Sequence, residues 1–378
     1  MQVINTNVMS LNAQRNLSGS SEALATSLQR LSSGQRINSA KDDAAGLAIA
    51  NRFTTQIRGM DQAGRNANDA ISLTQTAEGA LVEVSNNLQR IRELAVQSRN
   101  ATNSQTDRDA LNAEASQLLS EINRVAEQTS FNGVKLLDGS FSNQSFQIGA
   151  DVGQTIDVTS IVDATTANLG SYGRATVTTA VSTGFANALS AGDVTINGVD
   201  LGAIGAAASA SERSEQVMSA INKTSGESGV YAIKDTSNTI TLVSTTDDIV
   251  VAGAAGALTA DTGLTAATTA RATTTGISTV DISSVAGADA AMQAMDSALQ
   301  VINSTRADLG ALQNRFSSVV SNLQTSSENL SASRSRIVDT DFAKETASLT
   351  RAQILQQAGT AMLSQANSAP QGVLSLLR

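Results

Sequence analysis

The chain has no cysteine, no histidine and no tryptophan, and a single proline. Without thiolate or imidazole there is no nitrogen or sulfur ligand set for zinc and no histidine general base; carboxylates, lysine, tyrosine and hydroxyls remain. Aromatic residues make up only 2 % of the 378 positions, so large apolar cores and aromatic-lined pockets are not expected. Charge is sparse as well, at 16 %, and the net charge of −9 disfavours nucleic acid, which needs a basic patch. No stretch approaches the apolar length of a membrane span. The opening MQVINTNVMSLNAQ lacks the basic start and apolar centre of a secretory signal. Taken alone these absences point to the cytoplasm, although a chain without thiols is indifferent to redox compartment.

What is present is periodic. Between about Ala44 and Ser98, apolar or small residues recur at steps of three or four: Ile49, Phe53, Ile57, Met60, Gly64, Ala67, Ile71, Thr74, Ala77, Leu81, Val84, Leu88, Ile91 and Ala95. This is a coiled-coil seam on one long helix, roughly 80 Å at about 1.5 Å per residue. A helix of that length needs an equal partner, and Met295, Leu299, Ile302, Thr305, Leu309, Leu312, Phe316, Val319, Leu323, Leu330 and Ile337 repeat the spacing. The two stripes imply a hairpin-like rod with both chain ends together and the middle carried far from them. Outside the stripes the polar residues are Asn, Gln, Ser and Thr in preference to Glu and Lys, as expected where outer faces pack on further copies, because burying unpaired charge is costly.

In chain order, residues 1 to about 31 form a thin amphipathic helix. Ser39 and Asp42 then make a Ser-x-x-Asp capping box for the long helix, with Asp42 and Asp43 as helix-start carboxylates. A second helix follows the turn at Asn100–Ser104, with Leu111, Ala115, Leu118, Ile122, Val125 and Thr129 on one face. The segments Phe131–Gly139 and Phe146–Gly149 read as hairpin strands. From about Thr176 the texture becomes Ala, Thr, Gly and Ser. Val194–Ile196, a turn at Asn197-Gly198 and Val199–Leu201 read as a hairpin; Ser209 and Glu212 cap a short helix with Val217 and Ile221 inward; Val230–Ile233 and Ile240–Val243 read as strands. The last segment mirrors the first in thinness.

The expected fold class is therefore mainly α: a long antiparallel coiled-coil or helical-bundle rod formed by both chain ends, with a β-hairpin on the rod and a central α+β insertion. Its expected parts are 1–42 with 339–378 as a terminal coiled coil, 43–175 with 287–338 as the bundle and hairpin, and 176–286 as an outer domain. Ile4, Val8, Leu11, Leu24, Leu28 and Leu31, with Leu349, Leu355, Met362, Val373, Leu374, Leu376 and Leu377, are the candidate self-assembly residues, because the two thin helices leave an apolar face open. No catalytic, cofactor or metal residues are assigned. An enzyme would need an acid–base pair, and Asp247-Asp248 is better explained as a turn before Ile249-Val250-Val251. A signalling rod similar to a chemoreceptor hairpin would explain the length but not the sheet-rich insertion.

These features together resemble bacterial flagellin. The resemblance rests on Leu31-Ser32-Ser33-Gly34, the run Ile37 to Gly46, Arg90 to Val96, Phe131 to Gly139, Arg336-Ile337, Asp341-Phe342-Ala343 and the ending Val373 to Arg378. It implies a homopolymeric helical filament with the terminal helices as its inner layer and the middle facing solvent. It further implies export, unfolded and without a cleaved signal, through the flagellar type III apparatus to the extracellular flagellum. The implied partners are an export chaperone covering the C-terminal helix, the filament cap and hook-junction proteins, and host Toll-like receptor 5. For that receptor the family's docking surface corresponds here to Gln89, Arg90, Leu94 and Glu114. In their own right Leu94 is expected to flank the seam, and Arg90 and Glu114 to make polar contacts between subunits. A hook–filament junction protein is the alternative within the same structural class.

Overall fold

The computed structural model describes residues 6–180, 185–234, 239–254 and 257–375; the side chains of 257, 259 and 369–375 lie outside that description. In chain order the elements are α1 (Val8–Ser33), α2 (Ala44–Ser98), α3 (Gln105–Gln128), β1 (Ser130–Phe131), β2 (Val134–Lys135), β3 (Ser142–Gln147), β4 (Thr155–Ser160) and β5 (Ser171–Ala180). There follow β6 (Val194–Ile196), β7 (Val199–Asp200), α4 (Ala210–Lys223), α5 (Ser225–Ser228), β8 (Val230–Lys234), β9 (Thr239–Ser244), β10 (Ile249–Gly253) and a π-helical turn (Ala257–Thr262). The chain closes with β11 (Ala267–Thr269), β12 (Ala272–Thr275), α6 (Val285–Val338) and α7 (Phe342–Ser375). The class is mainly α with a central α+β region, as the periodicity requires. Two compact units divide it: Met1–Asn68 with Gln147–Ile156 and Ser317–Arg378, and Asp69–Phe146 with Asp157–Phe316.

In the second unit the seam of α2 is sealed. Thr74, Ala77, Leu81, Val84, Leu88, Ile91 and Ala95 are all fully buried. Opposite them α6 buries Ala291, Met295, Ala298, Ile302, Leu309 and Phe316. The pairing is antiparallel, fixed by Arg99 on Asp289, Arg92 on Asp296 (2.6 Å) and Gln313 on Glu78 (2.8 Å). The third helix, α3, opens with a true capping box between Ser104 and Asp107. Its buried stripe is Ala115, Leu119, Ile122 and Ala126, rotated by about one position from the expected Leu118 and Val125, which lie at the margin. Asn132 (φ 49°) and Gly133 (φ 83°) turn β1 into β2, and Phe146 at the end of β3 meets the Phe316 ring edge-on, centroids 6.0 Å apart.

The central α+β region has two four-stranded sheets, ordered β11-β10-β6-β7 and β12-β5-β9-β8. The β6–β7 hairpin turns on Asn197 (φ 50°) and Gly198 (φ 82°), the positive-φ pair that a tight hairpin demands. Ser209 caps α4 by accepting the Glu212 amide, and Val217 and Ile221 point into a core with Ile196, Val230, Leu242 and Ile249. β8 is an outer strand, and the Asn222 side chain occupies its free edge, accepting from the Ala232 N–H (2.8 Å) and donating to the Ala232 carbonyl (3.0 Å). The chain enters and leaves this region side by side: Ser171 pairs with Thr275, and the Gly276 N–H donates to the Gly170 carbonyl at 2.9 Å. At Gly276 (φ 84°) a Cβ would stand 2.1 Å from the Ala167 carbonyl oxygen, so only glycine fits this exit.

The start of α2 corrects one expectation. Ser39 and Asp42 form a turn ahead of the helix, in which one Asp42 oxygen accepts from the Asn38 and Ser39 amides and the Ser39 hydroxyl. The carboxylate that caps α2 is Asp43, which accepts from the Gly46 amide at 2.8 Å. The helix begins four residues later than a Ser39 cap would start it, and Gly46 occupies the third helical position.

Candidate functional site

The first unit contains the paired ends of the chain. Gly34, with φ 69°, stops α1 in the left-handed conformation. Beyond it, backbone bonds tie the chain to the end of α6: Arg36 N–H to Val338 O at 2.6 Å and Thr340 N–H to Gly34 O at 3.0 Å. From there α7 returns antiparallel along α1. Arg30 faces Glu345 at 3.9 Å, Leu17 lies against Gly359, Ser10 donates to the Asn367 side chain at 2.8 Å, and Asn7 donates to the Ala366 carbonyl at 2.8 Å.

The residues at this contact are small. Those buried are Ser10 and Ser27 on α1 and Ala352 and Ala366 on α7, with Glu345 the one larger side chain, buried opposite Arg30, and a Cβ on Gly359 would crowd Leu17 at 3.2 Å. Close approach of the backbones leaves no room for large side chains between them, so the aliphatic ones stand outside. Val8, Met9, Leu11, Leu28, Phe342, Ile354, Leu355 and Met362 are 49 % to 69 % exposed. Scattered apolar exposure is ordinary, but eight large side chains on two paired helices form a continuous demand for cover.

Of the expected self-assembly residues, Val8, Leu11, Leu28, Leu355 and Met362 are exposed on this pair, while Leu24, Leu31 and Leu349 are half-buried. Ile4, Leu376 and Leu377 lie outside the described residues, as do the side chains of Val373 and Leu374. Met9, Phe342 and Ile354 are also exposed on these two helices and were not legible as such: a single stripe of three-four spacing omits residues beside it. The signal that finds them is the scarcity of large residues left over for the internal contact.

The second expected surface lies on α2 and α3 in the other unit. Arg90 holds Glu114 (2.8 Å and 3.0 Å) and Glu93 (3.1 Å), and Gln89 reaches Ser85 at 3.3 Å. These hydrogen bonds to Glu114 first, and Glu93 next, push the Arg90 guanidinium further above its ordinary value. Arg90 and Glu114 bond each other within the chain and both remain about half exposed. Leu94 is fully buried on α2, while Gln89, Arg90 and Glu114 are exposed.

Among the described residues there is no helix long and apolar enough to cross a membrane, and no group of three or more carboxylates arranged to hold a metal ion. Long paired helices, small residues inside the terminal pair and large ones outside define a class, the helical structural proteins whose ends are finished by neighbours. Comparison with known proteins gives the family. Residues 4–142 match the bacterial flagellin N-terminal helical region and residues 292–377 the bacterial flagellin C-terminal helical region. Flagellin D of Vibrio cholerae serotype O1 is 45 % identical over 387 residues, covering 99 % of each chain, and flagellin D of Vibrio anguillarum is 45 % identical over 382 residues with the same coverage. Among solved structures, FliC from Burkholderia pseudomallei is 27 % identical and covers 65 % of this chain and 99 % of that one, with a TM-score of 0.41. The flagellar junction protein of Legionella pneumophila is more distant, at 17 % identity over 77 % of this chain and 99 % of that one, with a TM-score of 0.43. The chain belongs to the bacterial flagellin family and is a structural subunit of the flagellar filament.

Proposed function

We propose that copies of this chain polymerise by covering the outward aliphatic face of the α1–α7 pair, and the observation that carries this reading is the exposure of Val8, Leu11, Leu28, Leu355 and Met362 on two helices that touch through small residues. Fully covering one such side chain contributes about 1.5–3 kcal/mol, so a few of them suffice for a tight contact. In the filament, 1–42 with 339–378 form the inner layer, 43–175 with 287–338 the next, and 176–286 faces solvent. Ile4, Val373, Leu374, Leu376 and Leu377 extend the inner contact.

The subunit leaves the cell through the flagellar type III apparatus as an unfolded chain and assembles outside it. The absence of cysteine suits a chain that must be threaded without disulfides. An export chaperone covers α7 before secretion, and cap and hook-junction proteins meet the filament at its ends. Gln89, Arg90 and Glu114, set in place by the buried Leu94, form the docking surface for Toll-like receptor 5. The role is structural, with no catalysis by the chain.

The test is assembly by two exposed-face variants, Leu11→Asp and Leu355→Asp, followed by sedimentation and negative-stain microscopy. Both are expected to keep the helical circular dichroism of the parent chain and to form no tubes where the parent does. Tubes at unchanged yield from both variants would refute the assignment of this face.

A further inference from the structure

Methionine is present seven times, and its distribution is uneven. Met295 is fully buried, Met60, Met218 and Met292 are half-buried, and Met1 is outside the described residues. The two exposed thioethers among the described residues are Met9 (69 %) and Met362 (64 %). They come from opposite ends of the chain, yet both line one groove between α1 and α7, together with Ala13, Gly19, Leu355 and Gly359. The groove's surface is mainly apolar, with Asn12, Arg15 and Asn16 as its larger polar members, and the two sulfur-bearing chains and Leu355 are its large apolar ones.

We propose that Met9 and Met362 are a paired oxidation site whose sulfoxides block polymerisation, a reading that rests on the assembly role assigned to this face. The co-reactant is a peroxide. A thioether lone pair attacks one peroxide oxygen and the O–O bond breaks. Sulfur is oxidised by two electrons and keeps that oxygen. The displaced hydroxide takes the transferred oxygen's proton and leaves as water. The product is polar and stiffer where the contact needs an apolar, adaptable side chain, and an unpaired sulfoxide oxygen cannot be covered by a neighbour's aliphatic surface without loss. Once copies cover the groove, the same sulfur atoms are screened from the oxidant. The site therefore acts on the free subunit and spares the finished polymer.

The experiment treats purified full-length chain with hydrogen peroxide, maps each added oxygen by peptide mass spectrometry, and measures the critical concentration for polymerisation by sedimentation. Oxidation is expected at Met9 and Met362 ahead of Met60, Met218, Met292 and Met295, with the critical concentration raised by about tenfold or more. Reduction by methionine sulfoxide reductases A and B is expected to restore it. The Met9→Leu/Met362→Leu chain, of similar volume, is expected to show the same critical concentration before and after peroxide treatment, whatever that value is; a peroxide-induced rise in this variant would place the effect elsewhere and overturn the proposal. Pre-formed filaments are expected to take up oxygen at these two sites several-fold more slowly than free subunits. Normal polymerisation of chain carrying both sulfoxides would overturn the proposal. Failure of the untreated chain to polymerise would instead overturn the assembly reading beneath it.

Discussion

Asn222 shows how much one amide does in a thin β region. It satisfies both backbone groups of Ala232 on the open side of β8, which would otherwise present an unpaired edge to a neighbouring chain. Asn222→Ala removes both bonds, and the expected cost is about 1–3 kcal/mol, read from urea denaturation followed by tyrosine fluorescence, which comes from Tyr172 and Tyr231 in this region. Unchanged stability would mean that water serves the edge equally well. At the turn before α2, Asp42 is held below its ordinary carboxylate value by the Ser39 backbone N–H first, then by the Ser39 hydroxyl and the Asn38 amide. A depressed folded value means that the turn's contribution is present above the unfolded value of 3.8 and is lost as pH falls through the lower folded one. The Ser39 amide resonance should therefore titrate below 3.8, and Asp42→Asn should abolish that titration; a midpoint at or above 3.8 would contradict the hydrogen-bond account.

At the scale of elements, Leu88 is buried on the α2 seam, and Leu88→Asp places a carboxylate there with no partner. A loss of at least about 3 kcal/mol is expected, visible as a lower thermal midpoint and weaker helical circular dichroism. The seam was readable because three-four spacing survives any neighbour, and hairpins were readable because Asn-Gly fixes positive φ at Asn132-Gly133 and Asn197-Gly198. The register of α3 was less so: Leu118 and Leu119 are adjacent, and only the packing decides which of them faces inward. The Ser39–Asp42 pair misled for a related reason, since the same side-chain pattern closes a turn as readily as it starts a helix. The outer face of the terminal pair was half legible. Aliphatic stripes on α1 and α7 suggest a mutual contact as easily as an outward one, and the choice falls to Ser10, Ser27, Ala352 and Gly359, whose smallness brings the backbones too close for leucine between them.

For the whole molecule, the entry and exit of the central region are one hydrogen-bonded pair, Ser171 with Thr275. Replacing residues 172–274 by a short glycine linker spans only the ~5 Å between paired strands. The shortened chain is expected to retain its helical signal and to form tubes by negative stain, and loss of either would show that the helices depend on the excised region. Burial along the two longest helices has a further consequence. From Ala44 to Asn66 only Gly46, Ala50 and Ala63 of α2 are buried, and α6 buries nothing from Ser317 to Val338. Segments with so few internal contacts belong to the low-stability end of a fold. Their resistance to opening is expected to rise when copies pack together, so amide hydrogen exchange at 44–66 and 317–338 should be slower in the polymer than in the dilute subunit.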